Sequence, residues 1–249
     1  MNVNYHLQGS GDTVVLIHGL FGSLDNLGVL GRSLQESYQV LQVDLRNHGL
    51  SPHSEDMNYR LMAEDVIALL NRLSLDNVTL IGHSMGGKVA MTLTALIPDR
   101  ITRLAVIDIA PIAYPTRHHD DVFEALNAVH HAGITTRPEA AAIMRESGLA
   151  EGVIQFLLKS FHQGEWRFNV PALWQHYDEI IGWQEVPVWE GPTIFIRGEL
   201  SPYIQESARP AIARQFPHAR AYTVAGSGHW VHAEKPQQVI SILQRFMSK

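Results

Sequence analysis

The 249-residue sequence contains no cysteine. Disulfide bonds, thiolate metal sites and cysteine nucleophiles are therefore excluded, so any covalent catalysis must use another side chain. Long apolar runs are also missing, and none approaches the ~18 residues of a membrane-spanning helix. The amino-terminal MNVNYHLQGSGD is polar and lacks the basic-then-apolar pattern of a secretion signal. We therefore expect a cytoplasmic protein with no membrane span.

Positive charge is scarce as well. Lys and Arg total 19 against 25 Asp and Glu, which gives a formal net charge of −6. Because no basic run occurs, the composition argues against a nucleic-acid-binding protein. Hydrophobic residues make up 45% of the chain, enough for a sizeable core in one large domain or in a domain with an insertion. We expect a monomer or a small homo-oligomer, and the sequence does not distinguish between them.

Short apolar runs alternate with helical patterns through the first 112 residues. Asn58 is expected to cap one of the helices, which runs to about Leu73. This alternation predicts a parallel sheet with helices on both faces. The predicted strands of this part are 3–7, 13–17, 40–43, 78–81 and 104–107.

Residues 113–190 interrupt the alternation with several helical runs and no convincing strand. Strand patterns return at 193–197 and 221–224, followed by a final helix. We therefore predict a core domain formed by 1–112 and 191–249. Residues 113–190 would be a helical cap, inserted after the strand that ends at Asp108. A separate helical domain without a role at the site is the alternative.

The pattern Gly82-His83-Ser84-Met85-Gly86 lies between a predicted strand and a predicted helix. G-x-S-x-G in this setting is typical of a nucleophile elbow, in which a sharp turn lifts the serine hydroxyl clear of the sheet. Glycines are needed because side chains at their positions would collide in such a turn. We predict that Ser84 is a strained catalytic nucleophile.

A serine hydroxyl needs a base within hydrogen-bond reach. Among 14 histidines, His229 is distinguished by its position in Gly-Ser-Gly-His-Trp, directly after the last predicted strand. Loops at the carboxyl ends of parallel strands meet at one edge of the sheet, which is also the edge expected for Ser84. We predict that His229 is the base; a solvent-exposed loop histidine is the alternative.

Two positions can supply the carboxylate that orients the histidine. Asp108 ends an apolar strand, where a carboxylate is costly to bury without a partner. Glu199 lies in the loop after strand 193–197, but the residue at the expected place in that loop is Ser201. We favour Asp108, leave Glu199 as the alternative, and expect Ser201 to provide an additional hydrogen bond.

Acyl transfer also needs N–H donors for the oxyanion. The Met85 backbone N–H, at the start of the elbow helix, is one candidate. The second is expected in the loop His18-Gly19-Leu20-Phe21-Gly22. We predict the Leu20 N–H, with Phe21 as the alternative, and expect His18 to brace the loop.

Other polar clusters are expected to be structural. Asp44 and Arg46 are predicted to stabilise their own turn. The stretch 118–121, His-His-Asp-Asp, and the pair at 130–131 lack a matching ligand set, so no metal site is predicted. The chain has no glycine-rich phosphate loop. No cofactor is expected.

Several motifs together resemble the α/β-hydrolase superfamily over essentially the whole chain. They are H-G-L-F-G, D-L-R-N-H-G-L-S, I-G-H-S-M-G-G-K, I-D-I-A-P and G-S-G-H-W. The resemblance implies an α/β fold with an eight-stranded, mostly parallel sheet and a helical cap. It also implies hydrolysis of acyl esters, with acyl-CoA thioesters among the substrates. Carried over, the catalytic triad falls on Ser84, Asp108 and His229.

We therefore predict a cofactor-free serine esterase or thioesterase for a small-molecule acyl ester or acyl-CoA substrate. A carbon–carbon bond hydrolase or perhydrolase of the same fold is one alternative, and a non-catalytic binding protein of that fold is another. Arg167 is a candidate for contacting a substrate phosphate or carboxylate. Aromatic residues that would line an acyl channel, or simply fill the cap core, are Phe156, Phe161, Trp166, Phe168, Trp174 and Trp230.

Overall fold

The computed structural model describes residues 1–249 and builds the predicted α/β architecture around a mostly parallel sheet. The sheet has seven strands in the order β1-β3-β2-β4-β5-β8-β9. Strand β1 is antiparallel to β3, and every other neighbouring pair is parallel. These strands are β1 (Tyr5–Gln8), β2 (Thr13–Ile17), β3 (Gln39–Val43), β4 (Val78–His83), β5 (Ile101–Ile107), β8 (Thr193–Gly198) and β9 (Ala219–Val224).

Eleven α-helices accompany the strands. None of them is both long enough and apolar enough to cross a lipid bilayer. They are α1 (Gly28–Leu34), α2 (Tyr59–Arg72), α3 (Met85–Leu96), α4 (Asp120–His131), α5 (Arg137–Glu146), α6 (Glu151–Leu158), α7 (Val170–Gln175), α8 (Tyr177–Ile181), α9 (Arg209–Gln215), α10 (Val231–Glu234) and α11 (Pro236–Met247).

The sheet is one strand shorter than the eight strands that the superfamily resemblance implies. The first strand runs from Tyr5 to Gln8, so residues 3 and 4 of the predicted strand lie outside it. The Asn4 N–H donates to Ser51 Oγ at 2.8 Å, and its carbonyl accepts from the Asp44 N–H at 2.9 Å. Asn4 therefore joins the amino-terminal segment to the loop after β3.

Both faces of the sheet are covered, as the apolar runs predicted. All five residues of β2 are buried. Val14 and Leu16 pack in the core shared with α1 and α11, whereas Val15 and Ile17 pack in the larger core shared with α2 and α3. Successive residues of a strand point to opposite faces, so a continuous apolar run is what a doubly covered strand requires.

The predicted start of α2 is confirmed. Asn58 has extended backbone angles, and its side-chain oxygen accepts from the Leu61 N–H at 2.8 Å. This bond satisfies one of the N–H groups that the first helical turn leaves without a partner. The helix then presents its apolar stripe, which includes Met62, Val66 and Leu69, to the larger core.

Residues 113–190, which we call the cap segment, lie in the chain between β5 and β8 and contain α4 to α8. The prediction of no strand here was wrong, because β6 (Phe161–His162) and β7 (Glu165–Trp166) form a short antiparallel hairpin. Gln163 and Gly164 join them with φ of 51° and 85°. Two consecutive residues with positive φ in a two-residue loop match the right-handed twist of the strands that they join, and glycine adopts that conformation readily.

The elbow between β4 and α3 is crowded, as predicted. A Cβ on Gly82 would lie 2.2 Å from the Gly86 carbonyl oxygen. A Cβ on Gly86 would lie 2.2 Å from the carbonyl oxygen of Ile17, the last residue of β2. Ser84, between these glycines, has φ 53° and ψ −121°. Close packing of backbone against backbone therefore holds the serine in an unfavourable conformation, at a cost of about 1–3 kcal/mol.

Replacing Gly86 with alanine is expected to lower the free energy of unfolding by about 2–3 kcal/mol, because the methyl group would collide with backbone carbonyls that cannot easily move. Gly152→Ala in α6 is the matched control, since a Cβ there meets nothing nearer than Trp230 at 3.8 Å. The control should gain about 0.5 kcal/mol from the helix propensity of alanine. Urea unfolding measures both values, and equal stabilities for the two variants would contradict the crowding.

Candidate active site

Three side chains predicted to act together meet at the carboxyl edge of the sheet. His229 lies in the loop between β9 and α10, and its Nε2 is 3.0 Å from Ser84 Oγ. Its Nδ1 donates to Asp108 Oδ2 at 2.6 Å. Ser84 follows β4 and Asp108 follows β5, so adjacent parallel strands deliver both residues to the same edge. The arrangement matches that of a serine nucleophile, a base and a carboxylate that orients the base.

The His229 ring is held by contacts with two neighbouring rings. Tyr203 stacks on one face with ring centroids 4.1 Å apart and planes 25° apart, and the His83 ring lies 4.8 Å away. His83 Nε2 also donates to the His229 carbonyl at 2.9 Å. Burial lowers the pKa of His83 well below its usual value, so this ring is neutral and acts as a hydrogen-bond donor through Nε2. The histidine at the second position of the elbow thus anchors the loop that carries His229.

The structure distinguishes between the two candidate carboxylates. Asp108 is fully buried, and Gly198 N–H donates to its Oδ1 at 2.9 Å. Glu199 is exposed and accepts from the Gly226 N–H at 2.8 Å, so it supports the loop after β9 and has no hydrogen bond to His229. The alternative assignment to Glu199 is therefore not supported by the geometry.

Ser201 provides the additional hydrogen bond expected of it. Its hydroxyl is buried and donates to Asp108 Oδ2, the same oxygen that accepts from His229. Ser201 Oγ in turn accepts from the Tyr203 N–H at 3.3 Å. Ser201 therefore helps to fix the carboxylate in place behind the imidazole.

Two backbone N–H groups near Ser84 have no acceptor within the protein. Met85 opens α3, and neither its N–H nor that of Leu20 makes a hydrogen bond. The alternative donor, Phe21, has φ 64° and gives its N–H to His48 Nε2 at 3.1 Å. Burial lowers the pKa of His48 to about 3, so its Nε2 is available as an acceptor. Leu20 and Met85, the two donors proposed from the sequence, are therefore the pair with free N–H groups.

His18 braces the loop after β2, as predicted. Its Nε2 accepts from the Leu45 N–H at 3.0 Å, and its Nδ1 donates to the Gly19 carbonyl at 2.8 Å. Burial lowers the pKa of His18, which keeps the ring neutral and able to accept. The imidazole thus ties the Leu20 loop to the end of β3.

Asp44 and Arg46, predicted to stabilise their own turn, also contact other segments of the fold. Asp44 accepts from the Leu24 N–H at 2.7 Å as well as from the Leu50 N–H at 2.9 Å, so it links the turn to the segment after the Leu20 loop. Arg46 makes a buried two-bond ion pair with Asp65 of α2, at 2.7 and 2.9 Å. The two side chains therefore link their turn to the segment at Leu24 and to α2.

A cavity of about 890 Å³ opens beside Ser84 and His229. One wall is apolar and comes from the cap segment; its members include Val122, Leu149, Val153, Phe156 and Leu157. Phe156 and Trp230 face the cavity with ring centroids 5.0 Å apart. The other candidate aromatics do not line the cavity: Phe161 and Phe168 are buried in the cap core, Trp166 stacks on Phe168, and Trp174 is exposed.

Arg167 is not brought to the site. It does not line the cavity. Its N–H donates to the Ser160 carbonyl at 2.8 Å, and its carbonyl accepts from His53 Nε2 at 2.8 Å. The backbone of Arg167 thus joins the cap hairpin to the loop before α2, which directs the residue away from Ser84.

The histidine and aspartate clusters of the cap segment make local contacts. His119 Nδ1 is hydrogen-bonded to the Tyr177 hydroxyl at 2.5 Å, and Asp120 pairs with Arg117 at 2.9 Å. No group of three or more His, Asp or Glu side chains is arranged to hold a metal ion.

Sequence reasoning missed Lys88, a buried lysine in the cavity wall one turn after Ser84. Its ammonium donates to the carbonyls of Gly182 at 2.9 Å and Ile181 at 3.3 Å, at the end of α8. The ring of Tyr114 is 4.9 Å away, and no carboxylate pairs with Lys88. Burial lowers its pKa to about 7. The available signal was the single charged residue in the otherwise apolar helix M-G-G-K-V-A-M.

Comparisons with known proteins bear on the fold and the family of the chain. A family model for the α/β hydrolase fold matches residues 12–142. The chain is 54% identical over 241 residues to esterase YbfF of Escherichia coli, which covers 97% of this chain and 95% of the relative. It is 37% identical over 247 residues to the mouse (Mus musculus) sn-1-specific diacylglycerol lipase ABHD11, covering 94% and 80%. A marine microorganism esterase of known structure is 34% identical, with a TM-score of 0.94 over 98% and 99% of the two chains.

The chain therefore belongs to the α/β-hydrolase family. Within that family, esterase YbfF is a close relative along nearly the full length of both proteins.

Lys88 should make the stability of the protein depend on pH. Its pKa is about 7 in the folded state and 10.5 ordinarily, so the unfolded chain binds more protons between these values. The free energy of unfolding should therefore rise with pH across this window, by at most about 1.4 kcal/mol per pH unit. Lys88→Met removes this dependence, so its stability relative to wild type should fall from pH 6 to pH 9.

Urea unfolding at pH 6, 7.5 and 9 measures this difference. Lys159→Met, at an exposed position, controls for the loss of one lysine charge. A stability difference between Lys88→Met and wild type that stays constant over the pH range would contradict the prediction.

Proposed function

We propose that this protein is a serine hydrolase that cleaves carboxylic acyl esters through an acyl-enzyme intermediate. The observation that supports the proposal most directly is the continuous hydrogen-bonded chain from Ser84 Oγ to His229 at 3.0 Å and from His229 to Asp108 at 2.6 Å. A hydroxyl joined in this way to an oriented imidazole has what it needs to become a nucleophile at neutral pH.

In the first step, Ser84 Oγ attacks the acyl carbonyl carbon while His229 Nε2 takes the hydroxyl proton. The imidazole becomes positively charged, and the Asp108 carboxylate 2.6 Å from Nδ1 stabilises that charge without taking a proton. Ser201 and Gly198 donate to the same carboxylate, so it is fixed in position.

We propose that the N–H groups of Leu20 and Met85 stabilise the negative charge that develops on the carbonyl oxygen. Both donors lack a protein acceptor, so they are available without rearrangement. Met85 also begins α3, where the partial positive charge of the helix N-terminus favours an anion. One such donor typically contributes a factor of about 10²–10³ to kcat.

In the second half of the reaction, His229 gives its proton to the leaving oxygen, and the alcohol departs. Water then attacks the acyl-enzyme while His229 accepts its proton, and His229 returns that proton to Ser84 Oγ as the carboxylic acid leaves. A thioester, including an acyl-CoA, follows the same steps with a thiol as the leaving group. We include thioesters among the proposed substrates.

We propose that the acyl group binds against the apolar wall of the 890 Å³ cavity, which is formed by cap residues such as Val153 and Phe156. We propose that residues 113–190 act as a substrate-selecting cap on a core of 1–112 and 191–249. The names of the relatives, an esterase and a diacylglycerol lipase, support ester substrates for this chain as well.

Labelling with a fluorophosphonate tests whether Ser84 is activated. The wild type should react, and Ser84→Ala should show neither labelling nor turnover of 4-nitrophenyl butanoate. Ser160→Ala is a matched control, because Ser160 is a buried serine outside the cavity. It should react like the wild type.

No labelling of folded wild type would indicate a binding protein and overturn the proposal. A panel of 4-nitrophenyl esters, acyl-CoA thioesters and 1,5-diketones then separates the reaction classes. The proposal predicts the highest kcat/KM for an ester or thioester, and a preference for the diketones would contradict it.

A further inference from the structure

Two histidines beside His229 have no role in the steps above. His83 and His232 both line the cavity, and His232 belongs to the short helix α10. The His83 ring lies 4.8 Å from the His229 ring and 4.4 Å from the His232 ring. His83 already has a structural task, because it donates to the His229 carbonyl. His232 has none.

His232 is only 4% exposed, yet it makes no hydrogen bond to the protein. Its Nδ1 is enclosed without a partner, and its Nε2 is not enclosed. Burial lowers the pKa of His232 to about 3, so the ring is neutral. A buried polar ring without a partner is costly, at about 1–3 kcal/mol, unless a ligand or water satisfies it. The open nitrogen is therefore the place to expect a ligand group.

The chemistry of the proposed reaction indicates which part of the substrate lies near His232. His229 must protonate the leaving oxygen, so the alcohol part has to lie on the His229 side of the scissile bond. Helix α10, which begins two residues after His229, carries His232 and Glu234 into the wall of the same cavity. The apolar cap wall, by contrast, suits the acyl chain.

We propose that His232 binds a hydroxyl group on the alcohol part of the ester, so that the substrate is an ester of a diol or other polyol. The inference rests on the proposed ester hydrolysis. A neutral imidazole nitrogen either donates or accepts, depending on the tautomer, and a hydroxyl matches both cases. The positive charge of Lys159 acts on His232 and disfavours an ammonium group, and Glu234 on the same wall disfavours a carboxylate.

Matched pairs of esters test the proposal. Propyl butanoate and 2-hydroxyethyl butanoate differ by the exchange of a terminal methyl for a hydroxyl; butyl and 3-hydroxypropyl butanoate place that exchange one carbon farther. The ratio of kcat/KM within each pair, divided by the ratio of alkaline hydrolysis rates, isolates the contribution of the enzyme. We expect an excess of about fivefold for the hydroxylated ester in at least one pair, the value of one net hydrogen bond.

His232→Phe should abolish this excess, whereas His232→Gln, which still forms hydrogen bonds, should keep part of it. His118→Phe is the matched control, since it removes another cavity-lining histidine, and should keep all of it. If circular dichroism shows that His232→Phe does not fold, His232→Met provides the same loss of hydrogen bonding.

The role of His232 is overturned if the wild type shows no excess in either pair, or if the excess survives in His232→Phe or His232→Met. Loss of the excess in His118→Phe would also overturn it, because the effect would not be specific to His232. If no ester of either kind is hydrolysed by the wild type, the proposed ester hydrolysis itself fails.

Discussion

The buried carboxylate of Asp108 is the contact on which the rest of the site depends. It accepts from Gly198 at the end of β8, from Ser201 in the following loop and from His229 in the loop after β9. Removing a carboxylate from water costs several kcal/mol, and charge-assisted hydrogen bonds from all three donors offset that cost. The same bonds bring three separate parts of the chain into register at one point.

Backbone strain at the carboxyl edge of the sheet also positions the residues of the site. Both Ser84 and Asp108 have positive φ, at 53° and 56°. Each is held by a ladder bond to the neighbouring strand: Ser84 N–H donates to Ile107 at 3.0 Å, and Asp108 N–H donates to Ile196 at 2.8 Å. Consecutive strands of a parallel sheet thus impose the conformations that turn the two side chains towards His229. The sheet acts as the rigid support that a preorganised site requires.

Sequence reasoning succeeded where the chemistry is encoded locally. The elbow glycines, the capping Asn58 and the alternation of strands and helices all follow from neighbouring residues. It left Asp108 and Glu199 open because both lie at the same edge, and only the fold shows that Glu199 turns to Gly226. Lys88 was not predicted because the groups that it contacts, Gly182 and Tyr114, are distant in the sequence.

Tertiary contacts also explain the remaining differences. Asn4, predicted to lie in the first strand, is outside it and bonds to Ser51 and Asp44 after β3, and the backbone of Arg167 bonds to Ser160 and His53 outside the cavity. Neither set of partners can be recognised from sequence spacing.

Turnover by Asp108→Asn compared with Glu199→Gln tests the central claim most directly. Under the proposed mechanism, the amide at position 108 cannot stabilise the imidazolium of His229, and kcat for an aryl ester should fall about 10⁴-fold. Glu199→Gln keeps an oxygen that can accept from Gly226, and its kcat should stay within a few-fold of wild type. Near wild-type turnover by folded Asp108→Asn, or a collapse of turnover in folded Glu199→Gln, would contradict the account.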